Sequence, residues 1–190
     1  MQQQPVGSSP PSQGSSKAVI IVAVVVGALF AVVFVVGILA ALAISGMRKY
    51  LTNAKEAEGR ATATAIANDV VRCAETESAD LLDPSNPASA KGLPVTTAPV
   101  PASLDAVANK KYMSAPSDWA SPGWDCIKFQ MSTPQYFQYQ WVRSSPTEGT
   151  VRAQCDLDGD FRADVTFEVP VTCSASPSWA CQAGALRETR

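Results

Sequence analysis

Four aspartates within nine residues form the densest chemical pattern in the chain. The stretch DLDGDFRAD sets Asp156, Asp158, Asp160 and Asp164 at relative positions 1, 3, 5 and 9. Calcium takes about six to eight oxygen ligands, and carboxylates at this spacing in a turn between two strands converge on one point. The spacing predicts a candidate calcium loop. Such loops favour glycine at the sixth position, where this chain has Phe161, and an EF-hand closes on a glutamate where this chain has Phe167. The EF-hand reading therefore fails. The competing reading is an acidic hairpin turn whose Asp and Gly residues serve turn geometry alone.

Cysteine is the second reactive residue type. Cys73, Cys126, Cys155, Cys173 and Cys181 all lie beyond the apolar segment described below. None forms a CxxC pair, so a zinc ribbon is not indicated. Disulfides imply an oxidising compartment. Cys173 and Cys181 enclose SASPSWA, a stretch suited to a short stapled loop, and are the expected disulfide. The pairing of the other three stays open. For Cys73 a small buried apolar role competes with a disulfide, and Cys126 faces away from Ile127, towards a C-terminal partner rather than the helix.

Histidine is absent. That removes the usual general base, the usual zinc ligand and every nucleophile–histidine arrangement, so enzymatic activity is not expected. With a net charge of −2 and scattered Lys and Arg, the chain has no electrostatic footprint for nucleic acid and no polybasic run for lipid.

The elements that position these residues begin in a membrane. Between Lys17 and Arg48 no residue is charged. A bilayer core needs about 20 apolar helical residues, which Ala18 to Ile44 exceeds, and the segment has no polar face for water. A cleavable signal ending near Ala41-Leu42-Ala43 is disfavoured, because the apolar run is too long and its leading segment has one Lys. Residues 1–17 read as a disordered tail, 18–45 as the transmembrane helix and 46–77 as its continuation. In that continuation Met47, Leu51, Ala54, Ala61, Ala65 or Ile66, Val70 and Cys73 recur at helical steps and predict the buried stripe. Gly46 and Gly59 each weaken the helix by about 1 kcal/mol relative to Ala. Its expected length is on the order of 90 Å.

Residues 78–123 carry seven prolines and read as a connecting loop, with a short helix or turn at Ser103 to Asn109. Residues 124–170 read as a sheet. Period-two alternation marks strands at Trp124–Met131, Tyr136–Arg143, Thr150–Cys155 and Arg162–Val169, joined as an antiparallel meander with one buried face. Phe137, Tyr139 and Trp141 would be sheet core, leaving Trp119, Trp124 and Trp179 as candidates for an exposed contact surface. Residues 171–190 form the C-terminal, disulfide-looped segment. The fold class is α+β.

A long N-terminal helix, half in lipid and half on a four-stranded antiparallel sheet, resembles the type IV pilins and pseudopilins of Gram-negative bacteria. VVGILAALAISGMRKYLTNAKEAE is similar to the pilin N-terminal helix, and GWDCIKFQMSTPQYFQYQW, AQCDLDGD and VTFEV are similar to the C-terminal sheet. The resemblance implies an assembly helix that includes Gly37, Ile38, Leu39, Ala40 and Ala41. It also implies other pilin-like or secretion-system subunits as partners. Two family marks are absent: Ala28 stands at the position of the pilin glutamate and Ala23 at that of the cleavage glycine. The resemblance then implies an unprocessed inner-membrane anchor with a cytoplasmic tail and a periplasmic domain. The positive-inside count opposes that topology, with Lys17 on one flank and Arg48, Lys49, Lys55 and Arg60 on the other. An envelope binding module with a calcium-stabilised sheet, tethered by the helix, is the alternative.

Overall fold

The computed structural model describes residues 15–77, 91–174 and 178–190. Residues 1–14 of the tail, the prolines at 84 and 87, and the centre of the Cys173–Cys181 loop lie outside the described residues, while Ser15–Lys17, expected as tail, already belong to the first helix. Two compact units divide the chain, Met1–Tyr50 and Leu51–Arg190.

One helix, α1 (Ser15–Thr76), contributes to both units. In the first, Val19–Ala43 has a mean hydropathy of 3.4 and no buried residue, so it is long and apolar enough to cross a membrane. Gly37 through Ala41 all lie exposed within it.

The second unit is α+β. After 3₁₀ turns at Leu104–Ala106 and Pro116–Trp119 comes α2 (Pro122–Ile127). Five strands follow: β1 (Gln138–Ser145), β2 (Glu148–Cys155), β3 (Val165–Ser174), β4 (Ala180–Ala183) and β5 (Arg187–Thr189). All pairings are antiparallel. The order is β1-β2-β3-β4, and β5 pairs with the stretch of β3 that β4 leaves free. The alternation of Tyr139 and Trp141, of Val151, Ala153 and Cys155, and of Val165, Phe167, Val169 and Val171 puts all of them on the buried face. Arg152 and Glu168, register partners on the opposite face, pair at 3.1 Å.

The expected strand at Trp124–Met131 is instead a helix followed by irregular chain. Pro122 fits the first helical turn, and Lys128 ends the helix in the left-handed region at φ 57°. Helical spacing buries Trp124 and Ile127 together, which the apparent two-residue alternation had hidden. The meander gains its further strands from the C-terminal segment. Trp119 and Trp124 are core residues rather than a contact surface, and Trp179 is half-buried, donating from Nε1 to Ala74 O at 3.0 Å.

The buried stripe of α1 matches expectation at Ile66, Val70 and Cys73 and is rotated from it towards the N-terminus. Gly59, Ala63, Ile66, Ala67, Val70, Cys73 and Ala74 face the core, whereas Leu51, Ala54, Ala61 and Ala65 are exposed. Gly59 explains itself here. A Cβ at this position would stand 2.5 Å from Phe137 Cε1. Gly59→Ala gains about 1 kcal/mol in helix propensity, but overpacking costs about 1–3 kcal/mol. Net destabilisation is expected, read as a lower urea midpoint.

The proline-bearing segment 93–100 lies along the outer edge of β1. Val100 and Tyr139 exchange backbone hydrogen bonds at 2.8 and 2.9 Å, and Thr97 N donates to Trp141 O at 3.0 Å. Pro94 and Pro99 lack the N–H that a full ladder would need, so the cover is intermittent.

Candidate functional site

The loop from β2 to β3 carries the aspartates. Asp156, the first residue past β2, is fully buried. Its Oδ1 accepts from Gly159 N at 2.6 Å and its Oδ2 from Phe161 N at 2.8 Å. Asp164 Oδ2 accepts from Leu157 N and from Asp158 N. Asp158 and Asp160 accept from the backbone two residues on, at Asp160 N and Arg162 N. Gly159 and Phe161 adopt φ of 86° and 66°, the left-handed geometry that so tight a turn requires. Carboxylate oxygens of Asp156, Asp158 and Asp164 come within 4.8 Å of one another, while Asp160 stands outside that group.

Three carboxylates supply part of the six or so oxygens a calcium ion takes. Their lone pairs are not exhausted by the backbone bonds, because an ionised carboxylate offers about four acceptor sites. The same bonds give the loop a structural reason to exist without an ion. Asp156→Ala orphans two backbone donors and is expected to cost about 2–3 kcal/mol by urea denaturation, with or without calcium.

The cysteines are placed unambiguously. Cys173 and Cys181 are register partners on β3 and β4, disulfide-bonded with Cα atoms 4.0 Å apart. Cys73 on α1 bonds Cys126 on α2, Cα to Cα 5.6 Å. Of the two roles open to Cys73 the disulfide is the one found, and the expectation for Cys126 is corrected, since it meets the helix rather than the C-terminal segment. The helical turn at 122–127 aims Cys126 where a strand would not have. Cys155 is free and buried. Burial first, then the Asp164 carboxylate, push its thiol up to about 12. Thiolate is the reacting form, so native protein at pH 8 is expected to leave Cys155 unmodified by iodoacetamide, with labelling on unfolding.

Some of the charged residues of α1 find partners within the domain, while Lys49, Arg72 and Glu75 are exposed. Glu56, 2 % exposed, accepts from Arg60 at 3.3 Å and from Arg190 at 3.0 Å. Glu188 on β5 bridges the same two arginines, each at 2.7 Å. A buried carboxylate without such partners would be costly. Glu58 accepts from Tyr136 N at 3.0 Å and from the Tyr139 hydroxyl at 3.3 Å. Burial raises its carboxyl above the usual range despite those bonds. A raised carboxyl favours the folded state below its unfolded pKa, and that contribution falls as pH rises through the folded value. Lys55 lies over the Tyr136 ring at 4.6 Å.

Lys55, Glu58 and Arg60 are half-buried, and the most exposed positions between them are plain. The exposed positions from 51 to 68 are Leu51, Asn53, Ala54, Ala57, Ala61, Thr64, Ala65 and Asn68, none of them charged. A water-facing helix surface ordinarily carries charge. Periodicity alone misassigned this face, because alanines satisfied the apolar pattern on either side. The usable signal was the run Lys55, Glu56, Glu58 and Arg60, whose acids and bases find partners within the fold. The chain matches no protein-family model, no curated protein and no solved structure.

Proposed function

We propose that this protein is a membrane-anchored, pilin-like structural or accessory subunit of a type IV pilus or type II secretion-type system. It acts through protein–protein contacts along α1. The observation that carries the reading is the uncharged outward face from Leu51 to Asn68. That face suits a neighbouring apolar helix better than water. The partners are other pilin-like or secretion-system subunits. The tail is cytoplasmic and the domain periplasmic, a placement supported by two disulfides, which persist in oxidising compartments.

Two measurements test this. Mass spectrometry of unreduced protein from its own membranes is expected to find an intact N-terminus and both disulfides; free thiols, protected by alkylation before lysis, overturn the topology. Separately, Ala57→Lys with Ala61→Lys changes only exposed positions, where substitutions usually move stability by less than about 0.5 kcal/mol. The double variant is expected to fold and to lose co-purification with pilin-like subunits in the membrane or sheared-filament fraction. Undiminished co-purification would falsify the assembly role.

The convergence of Asp156, Asp158 and Asp164 favours a second reading, a tethered binding module whose sheet calcium stabilises. Millimolar calcium would then raise the melting temperature of the wild-type chain, and Asp158→Asn would abolish the increment. An unchanged melting temperature would eliminate this reading.

A further inference from the structure

Three aromatic rings meet beside α2. Trp119 packs edge-to-face on Trp124 at 5.0 Å and on Phe129 at 5.3 Å, with interplanar angles of 73° and 74°. These rings line a cleft of about 310 Å³ to which Asp125, Lys128 and Gln130 also contribute. That volume sits at the low end of small-ligand clefts, about 300–1,000 Å³. The left-handed turn at Lys128 brings Phe129 back onto Trp119 and holds the lining together.

The polar groups limit what fits. Asp125 is exposed and makes no ion pair among the described residues, while Lys128 Nζ donates to Glu77 at 2.5 Å. A cation gains at Asp125 and loses at Lys128, and an anion does the reverse, so a ligand without net charge is favoured. Carboxylate, ammonium and amide together offer both acceptors and donors, which matches a ligand rich in hydroxyls. The Trp119 indole is buried and packs on its two neighbours, so it shapes the wall without offering a donor to the cleft.

We propose that this cleft binds one neutral sugar ring, a hexose or N-acetylhexosamine unit of a glycan. The C–H face of the ring lies on the aromatic wall, chiefly on half-buried Phe129. Its hydroxyls meet Asp125, Gln130 and the spare donors of Lys128. The site does not depend on how the protein is anchored or assembled.

The test uses the full chain in phosphatidylcholine vesicles, because glucoside and maltoside detergents carry competing sugar rings. Glucose, galactose, mannose and N-acetylglucosamine are titrated while tryptophan emission and saturation-transfer NMR are recorded. Saturable binding by at least one of them, with a Kd of the order of millimolar, is expected. Asp125→Ala, at an exposed position, should weaken it about tenfold and leave near-ultraviolet circular dichroism unchanged; Phe129→Ala removes the ring face on which the sugar lies and should weaken it too. No saturable response to any sugar overturns the proposal. So does binding that survives Asp125→Ala intact, or tighter binding of choline, inorganic phosphate or a proline-rich peptide.

Discussion

A chain in which Cys73 and Cys126 are both alanine is expected to unfold with about 4 kcal/mol less free energy than the wild type. Crosslinking constrains the unfolded chain by an amount that grows with the logarithm of the closed loop, and a span of 53 residues corresponds to about that figure. The second disulfide closes only 8 residues, for which the same relation gives about 2.5 kcal/mol. Urea denaturation of the two double-alanine variants should therefore rank them in that order. Equal losses would mean that native contacts around the bridges, rather than loop closure, decide their contribution.

Trp141→Ala is the largest single-residue loss expected, about 3–5 kcal/mol on the scale of other large-to-small core changes. Trp141 is fully buried at the centre of β1. Its indole donates to Pro94 O, and its backbone N–H donates to Thr97 Oγ1 at 2.9 Å. Truncation opens a cavity against Gly149, where the indole already occupies the space a side chain would need. It also orphans the Pro94 carbonyl, so segment 93–100 should loosen as well. Hydrogen exchange at Thr97 and Val100 should rise in step with the loss of global stability.

The parts of this fold that could be read from sequence are those governed by one-dimensional patterns. The uncharged run from Ala18 to Ile44 announced a helix fit for a membrane, and strict alternation located β1 and β2 to within two residues and the start of β3 to within three. Two failures share a cause. At 124–131 apolar residues satisfied the wrong period, and along 47–65 the right period on the wrong face, because small or aromatic side chains were available on more than one face. The tertiary partners are what the sequence hid: Cys126 on its helical turn bonds Cys73, and Glu56 and Arg60 pair with Arg190 and Glu188. Those partners are dozens of residues away in sequence, beyond any local window. The aspartate loop was partly legible, since three of its four carboxylates converge, but its dense backbone capping was not. Nothing in the spacing of Trp119, Trp124 and Phe129 foretold a cleft.

The cover that segment 93–100 gives to β1 has a bearing on how the domain misassociates. An uncovered strand margin is a template on which further strands can add, the route to cross-β deposits. Here that margin is closed by chain that includes Pro94 and Pro99, which cannot present a continuous row of donors to the next molecule. The other margin is divided between β4 and β5, of four and three residues, too short to seed a regular ladder. A concentrated solution of the domain should consequently stay free of thioflavin-positive fibrils, and heating should yield amorphous precipitate instead.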